Sequence, residues 1–218
     1  MHQTISHNGR VRDGEGFPAE IRAQVESVSP DFYALFGYAE TLGIDLDDLQ
    51  KIFYERSRQL HPDRFARASA GERELSLRAS SLLNDAYRTL RDPLKRAEYV
   101  LSRHGFDVGQ QRSNNVPPEL LEEVFELNMA LEELRSGDED ARDSLEAARA
   151  NFLAMRDEID CGLSGAFARW DVASRNRAGE GASAARAMLA EIRGSLNRRR
   201  YIQNLLRDVE AALAGPAA

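Results

Sequence analysis

Pro62 places the tightest single constraint on how this chain can fold. A helical pattern reaches it from one side, where Leu46, Leu49, Ile52, Phe53 and Leu60 recur at the spacings of one helix face. Another departs on the far side through Leu75, Ala79, Leu82, Leu83, Ala86 and Leu90. Proline has no amide proton and disfavours helix in the residue before it, so the first helix ends near His61. His61, Pro62 and Asp63 are thereby held at a helix–helix corner and turned to solvent. Taken alone, the tripeptide has two readings of equal weight. It punctuates, since histidine suits a helix C-terminus, proline breaks the helix and aspartate turns the chain; or it is a presented contact site.

The rest of the chain reads as helices and breaks, with no strand pattern and no repeat. A short helix is expected over 31–36, and Asp45 caps a second helix over about 46–60. A loop runs through Ala70, and a third helix spans about 71–90. Asp92-Pro93 starts a fourth, which ends at Gly105. Residues 1–28 form an extension rich in glycine (Gly9, Gly14, Gly16) and poor in apolar residues; it is read as disordered, although Ala19, Ile21, Val25 and Val28 carry a short helical pattern. The polar stretch 106–116 reads as a linker. Pro117-Pro118 opens a helix to about Arg135, and a turn at Ser136-Gly137-Asp138 leads to a long helix from about Glu139 to Asn176, with Gly162 and Gly165 as places to bend. A last helix follows from about Ser183 to Leu213. Short connections favour an antiparallel three-helix bundle over 117–213.

Asp31-Phe32-Tyr33-Ala34-Leu35-Phe36-Gly37 precedes the corner, and the run from Leu83-Asn84-Asp85-Ala86-Tyr87 through Asp92-Pro93-Leu94-Lys95-Arg96-Ala97-Glu98-Tyr99 follows it. This arrangement resembles a J domain, the co-chaperone module that stimulates ATP hydrolysis by a DnaK-class chaperone. The continuation Val100-Leu101 through His104-Gly105-Phe106 is similar to the HscB branch, and with the C-terminal region the likeness spans about residues 31–212. The resemblance implies an all-α protein with a J domain over 29–105, a helical hairpin carrying the corner, and the bundle behind it. It implies that His61, Pro62 and Asp63 contact an HscA/DnaK-type ATPase chaperone, and that Lys51, Arg58 and Arg64 meet an acidic surface on it, with Arg56 a weaker candidate. Asp47, Asp48 and Glu55 dilute the positive field on this helix. The plain alternative for these cations is a solvated helix face.

On the first bundle helix Leu120, Val124, Leu127, Leu131 and Leu134 make one apolar stripe. Leu121, Phe125 and Met129 lie to one side of it, beside Glu122 and Glu126. An apolar patch rimmed by acids is the composition of a protein-binding site. The resemblance implies that Leu121, Phe125, Glu126 and Met129, with Tyr201, bind an IscU-type iron–sulfur scaffold protein; the alternative is burial against the rest of the fold. It implies delivery of that scaffold to the chaperone and so assistance to iron–sulfur protein maturation. The rival is a co-chaperone of a general DnaK-type folding chaperone with another client. The lack of a Gly/Phe-rich segment and of Cys-rich repeats counts against it.

Composition removes other classes. The net charge is −7, and within 117–140 nine residues are acidic while Arg135 alone is basic. An acid-rich region without a broad basic surface argues against nucleic acid as partner. Arg198, Arg199 and Arg200 are successive, point apart on a helix, and are expected to pair with the acidic first bundle helix. No apolar run approaches a membrane span, and Met1 to Arg12 lacks the apolar core of a secretory signal. The one cysteine, Cys161, excludes a disulfide framework and fits the cytoplasm; it is expected to be a semi-buried small hydrophobe. With no phosphate-binding loop and no paired histidines, the chain is expected to be a non-enzyme without metal or cofactor; it is separately expected to be a monomer.

Overall fold

Asp45 and Asp92 each accept two backbone amides with one carboxylate, and so start two of the helices. Asp45 Oδ1 takes the amides of Asp47 and Asp48 at 3.0 and 3.1 Å, and Asp92 Oδ1 takes those of Leu94 and Lys95 at 2.9 and 3.1 Å. The computed structural model describes residues 17–107, 116–175 and 180–215. Its helices are α1 (Ala19–Glu26), α2 (Leu46–Leu60), α3 (Ala70–Arg91), α4 (Pro93–Arg103), α5 (Leu121–Arg135), α6 (Ala141–Arg175) and α7 (Glu180–Ala214). Short 3-10 turns occupy Ala34–Phe36, Pro62–Phe65 and Pro118–Leu120. There is no strand among the described residues. The segment expected as a helix over 31–36 closes only as the 3-10 turn, which ends at Gly37 in the left-handed region (φ 74°).

Packing divides the described residues into two units, 17–40 with 44–91, and 41–43 with 92–215. In the first, α2 and α3 pack together through Leu49 and Leu60 against the face of Leu75, Ala79, Leu83, Ala86 and Leu90. Phe53 and Tyr87 stack with ring centroids 4.2 Å apart. Leu46, expected on the core face, stands exposed in the first turn.

The short helical pattern within the extension is a docked helix. Residues 1–16 lie outside the described residues, but Phe17, Ile21 and Val25 are buried, and α1 packs on α3. Arg78 Nη2 donates to the Val25 carbonyl at 3.0 Å, Arg56 pairs with Glu20 at 3.6 Å, and the Phe17 and Phe65 rings meet at 5.5 Å. Three apolar residues one turn apart are enough to seat a short helix once a partner groove exists.

In the second unit α5, α6 and α7 close around Leu120, Leu127, Ala130, Leu145, Phe152, Ile202, Leu206 and Val209. Arg142 at the start of α6 donates to the Leu213 carbonyl near the end of α7 at 2.9 Å, so these two run antiparallel. Helix α6 continues unbroken through Gly162 and Gly165. Helix α4, expected with the J domain, belongs here and packs on α7; the division falls between Arg91 and Asp92 and not at the expected linker, of which 108–115 lie outside the described residues. Its face of Ala97, Val100 and Leu101 is fully buried, and Glu98 pairs with Arg200. Gly105 closes α4 in the left-handed region, φ 76°, as expected of a helix C-terminus. Residues 41–43 are held by Asp171 of α6, whose carboxylate accepts the Leu42 and Gly43 amides at 2.6 and 2.7 Å and the Thr41 hydroxyl at 2.8 Å. A Cβ at position 43 would stand 3.0 Å from that carboxylate, which is why glycine fits.

The arginine run is correctly read as paired, but to three different elements. Arg198 lies 3.5 Å from Glu119, Arg199 Nη2 donates to Asp160 at 3.0 Å, and Arg200 meets Glu98. Cys161 is exposed, contrary to its expected partial burial, because it sits on the outer side of α6.

Candidate functional surfaces

His61 ends α2 and begins the next turn, with φ −59° and ψ 132°. Pro62 occupies the first position of that 3-10 turn, where its missing amide costs nothing. The Asp63 amide donates to His61 Nδ1 at 3.3 Å, and the Asp63 carboxylate stands 3.5 Å from the same nitrogen. With Nδ1 accepting that amide, Nε2 is the ring nitrogen left to meet a partner. The side chains are 57% and 91% exposed, so neither is used up by the fold. Leu60, the residue before the corner, is buried, and its carbonyl accepts the hydroxyls of Ser76 and Ser80 from α3.

Lys51 and Arg58 are exposed two turns apart on one face of α2, and Arg64 is exposed in the turn. Arg56 is not with them; it is half-buried and turned to Glu20 of α1. Tyr54, which the sequence reading did not single out, is 56% exposed and stands one turn from each of Lys51 and Arg58. Its signal was present, as an aromatic residue off the buried stripe of α2.

In the other unit the structure brings Leu121, Phe125 and Met129 together on one side of α5, 55%, 65% and 49% exposed, while Leu120, Leu127 and Ala130 are buried on the opposite side. Glu122 and Glu126 are exposed beside them. A groove of about 550 Å³ runs between α5 and α6, lined by Glu123, Glu126, Met129 and Glu133 over a floor that includes Leu127 and Phe152. Glu133 is a second residue the sequence reading passed over. Tyr201, on α7, is half-buried against the bundle core, and its hydroxyl pKa is raised by that burial and by the charge of Asp208.

Among the described residues no group of His, Cys, Asp and Glu could hold a metal ion, and no helix is long and apolar enough to cross a membrane. The corner presents an exposed His61–Asp63 pair on the end of α2.

Comparisons with known proteins identify the family. The family model described as the HSCB C-terminal oligomerisation domain matches residues 116–210. The co-chaperone protein HscB homolog of Paraburkholderia phymatum is 32% identical over 154 residues, covering 71% of this chain and 85% of that protein. This chain belongs to the HscB co-chaperone family. The HscB homolog of Neisseria meningitidis is 35% identical over 143 residues, covering 64% of this chain and 83% of its own length. Chaperone HscB from Vibrio cholerae superimposes with a TM-score of 0.56 at 28% identity, over 83% of this chain and 95% of that one. Human co-chaperone protein HscB, at 23% identity and a TM-score of 0.61 over 84% and 82% of the two chains, shares the fold. The expected family and the all-α fold of J domain plus helical C-terminal domain are thus borne out. Membership makes the chain a co-chaperone of iron–sulfur cluster assembly.

Proposed function

We propose that this HscB-family chain stimulates the ATPase of an HscA/DnaK-type chaperone through its corner and brings an IscU-type iron–sulfur scaffold protein to it on α5. The exposed pair His61 and Asp63, fixed at the end of α2 with their side chains open to solvent, carries the first half of the reading. The chain performs no chemistry of its own. A co-chaperone that binds the hydrolysis-competent state of its partner better than the resting state shifts the partner's population toward hydrolysis. In this reading His61, Pro62 and Asp63 make the discriminating contacts, and Lys51, Arg58 and Arg64 steer the approach to an acidic surface. Residues 29–105 act as the J domain and 117–213 as the scaffold-binding domain. Leu121, Phe125 and Met129, rimmed by Glu126 and joined by Tyr201, take the scaffold. The chain works as a cytoplasmic monomer, and the oligomerisation in the family model's description corresponds here to a heteromeric contact; light scattering of the purified chain reads that directly.

The test is ATP turnover by the purified chaperone. His61→Gln and Asp63→Asn are exposed changes that cost the fold under ~0.5 kcal/mol. Stimulation is expected to fall to the chaperone's basal rate in both variants while thermal stability holds. Either variant stimulating as well as the parent chain ends this reading of the corner.

A further inference from the structure

An α-helix leaves its last four carbonyls without helical partners. At the end of α2 the Leu60 carbonyl is the critical one, because its peptide leads directly into His61. In a continuing helix it would accept the amide of Arg64, but that amide is turned aside to the His61 carbonyl at 3.0 Å. Leu60 is 1% exposed, so bulk water is a poor substitute. Two serines of α3 supply what is missing. Ser76 Oγ donates to the Leu60 carbonyl at 2.6 Å and Ser80 Oγ donates to it at 3.1 Å. The serines are four residues apart on one helix face, and Ser76 is fully buried. A carbonyl oxygen has two lone pairs, and two donors from a rigid helix define its direction in a way that one donor does not.

We propose that Ser76 and Ser80 are positioning residues that fix the plane of the Leu60–His61 peptide and so aim His61-Pro62-Asp63 at the chaperone. Fixing that plane sets where the His61 Cα leaves α2. From there the turn is short, Pro62 has its φ locked, and the Asp63 amide donates a hydrogen bond to His61 Nδ1. An error at the Leu60 carbonyl is therefore passed to both polar tips. The inference rests on the chaperone-activating reading of the corner.

The experiment uses the full chain with Ser76→Ala, Ser80→Ala, the double variant and Ser80→Thr, which keeps the hydroxyl. One arm titrates each against the purified chaperone and separates maximal stimulation from half-saturating concentration. The second records backbone amide resonances of His61, Asp63 and Arg64 without any chaperone. Maximal stimulation by the double variant is expected to drop about tenfold, equivalent to ~1.4 kcal/mol. The three corner resonances should shift or broaden while those of α5 stay in place, and Ser80→Thr should restore most of what Ser80→Ala loses. A double variant with parental stimulation and parental corner resonances overturns the proposal. So does unfolding of either single alanine variant, which would make the serines general stabilisers. If the parent chain itself fails to stimulate, the functional reading falls, and the resonance arm still decides whether the serines aim the corner.

Discussion

Ser69 and Glu72 answer each other at the start of α3. The Glu72 carboxylate accepts the Ser69 amide at 3.1 Å and its hydroxyl at 2.8 Å, and the Glu72 amide donates back to Ser69 Oγ at 3.3 Å. This is a capping box, in which residues three apart satisfy helix-start donors reciprocally. The Ser69 hydroxyl, then its amide, hold the Glu72 carboxyl below its ordinary pKa. A lowered carboxyl stabilises the fold above its unfolded pKa, near ~4.3, and the contribution is lost as pH falls through the folded value. Protection of the Ser69 amide, measured against its intrinsic exchange rate, should therefore fall on acidification below the ordinary carboxyl range and stay level from there to neutrality. Glu72→Gln keeps an acceptor oxygen that does not titrate, so its exchange should lack the acid step; the same step in that variant would assign it to another group. The Ser-x-x-Glu pattern was legible in the sequence and would have moved the start of α3 back from Gly71. The partners of Ser76 and Ser80 were not. A serine inside a helix announces a donor, but which carbonyl it meets depends on the packing of α2 on α3, and periodicity carries no such distance information.

At the scale of elements, the helices from α2 onward were legible because each has a stripe, a cap or a breaker of its own. Helix α1 was legible only as a short helical pattern, and its docking was not, because the buried positions are only Phe17, Ile21 and Val25, too few to stand out against a glycine-rich neighbourhood. What makes it a helix is the face of α3 that receives it, and that is a tertiary fact. Helix α4 packs with the second unit, although the resemblance gives it to the J domain, for a related reason. Its buried face could satisfy either neighbour, and only its contacts with α7 decide. The seating of α1 has a measurable consequence. Burying a side chain of this kind contributes ~1.5–3 kcal/mol, but ordering the segment costs ~1–2 kcal/mol per residue, so the net docking energy is modest. Ile21→Ala can cost no more than that net value, since α1 can simply undock. Removing residues 1–28 should then lower the melting temperature by about 2–8 °C, the shift expected for ~1–2 kcal/mol in a chain of this size. Ile21→Ala should speed amide exchange in α1 far more than in α3. An unchanged melting temperature on removal would mean that α1 is a passenger.

For the whole molecule the distribution of charge matters more than its total. Residues 31–104 carry twelve basic and twelve acidic residues, whereas 105–218 carry fourteen and twenty. On α5 the acids stand beside the exposed apolar row and find few cations locally; Arg135 reaches Glu132 at 3.3 Å. An apolar row with an acidic rim selects a partner whose own apolar patch is bordered by cations, and it does so in a unit separate from the one that carries His61 and Asp63. Two functions on separate units can fail separately. Phe125 offers the larger free surface, and Tyr201 holds its ring half-buried, with burial and the charge of Asp208 raising its hydroxyl pKa. Aromatic anchors of this size often carry ~2 kcal/mol or more of binding. Phe125→Ala combined with Tyr201→Ala should weaken scaffold binding by at least about tenfold, or ~1.4 kcal/mol, by calorimetric titration. Stimulation of the chaperone without scaffold should stay at the parental level, and the extra stimulation contributed by scaffold should disappear. Phe125→Ala alone separates the two aromatics, since its side chain leaves no cavity when truncated. Unchanged affinity in a folded double variant would return both rings to the packing of the bundle and move the scaffold contact elsewhere. A parallel loss of chaperone-only stimulation would show instead that the two units do not act independently.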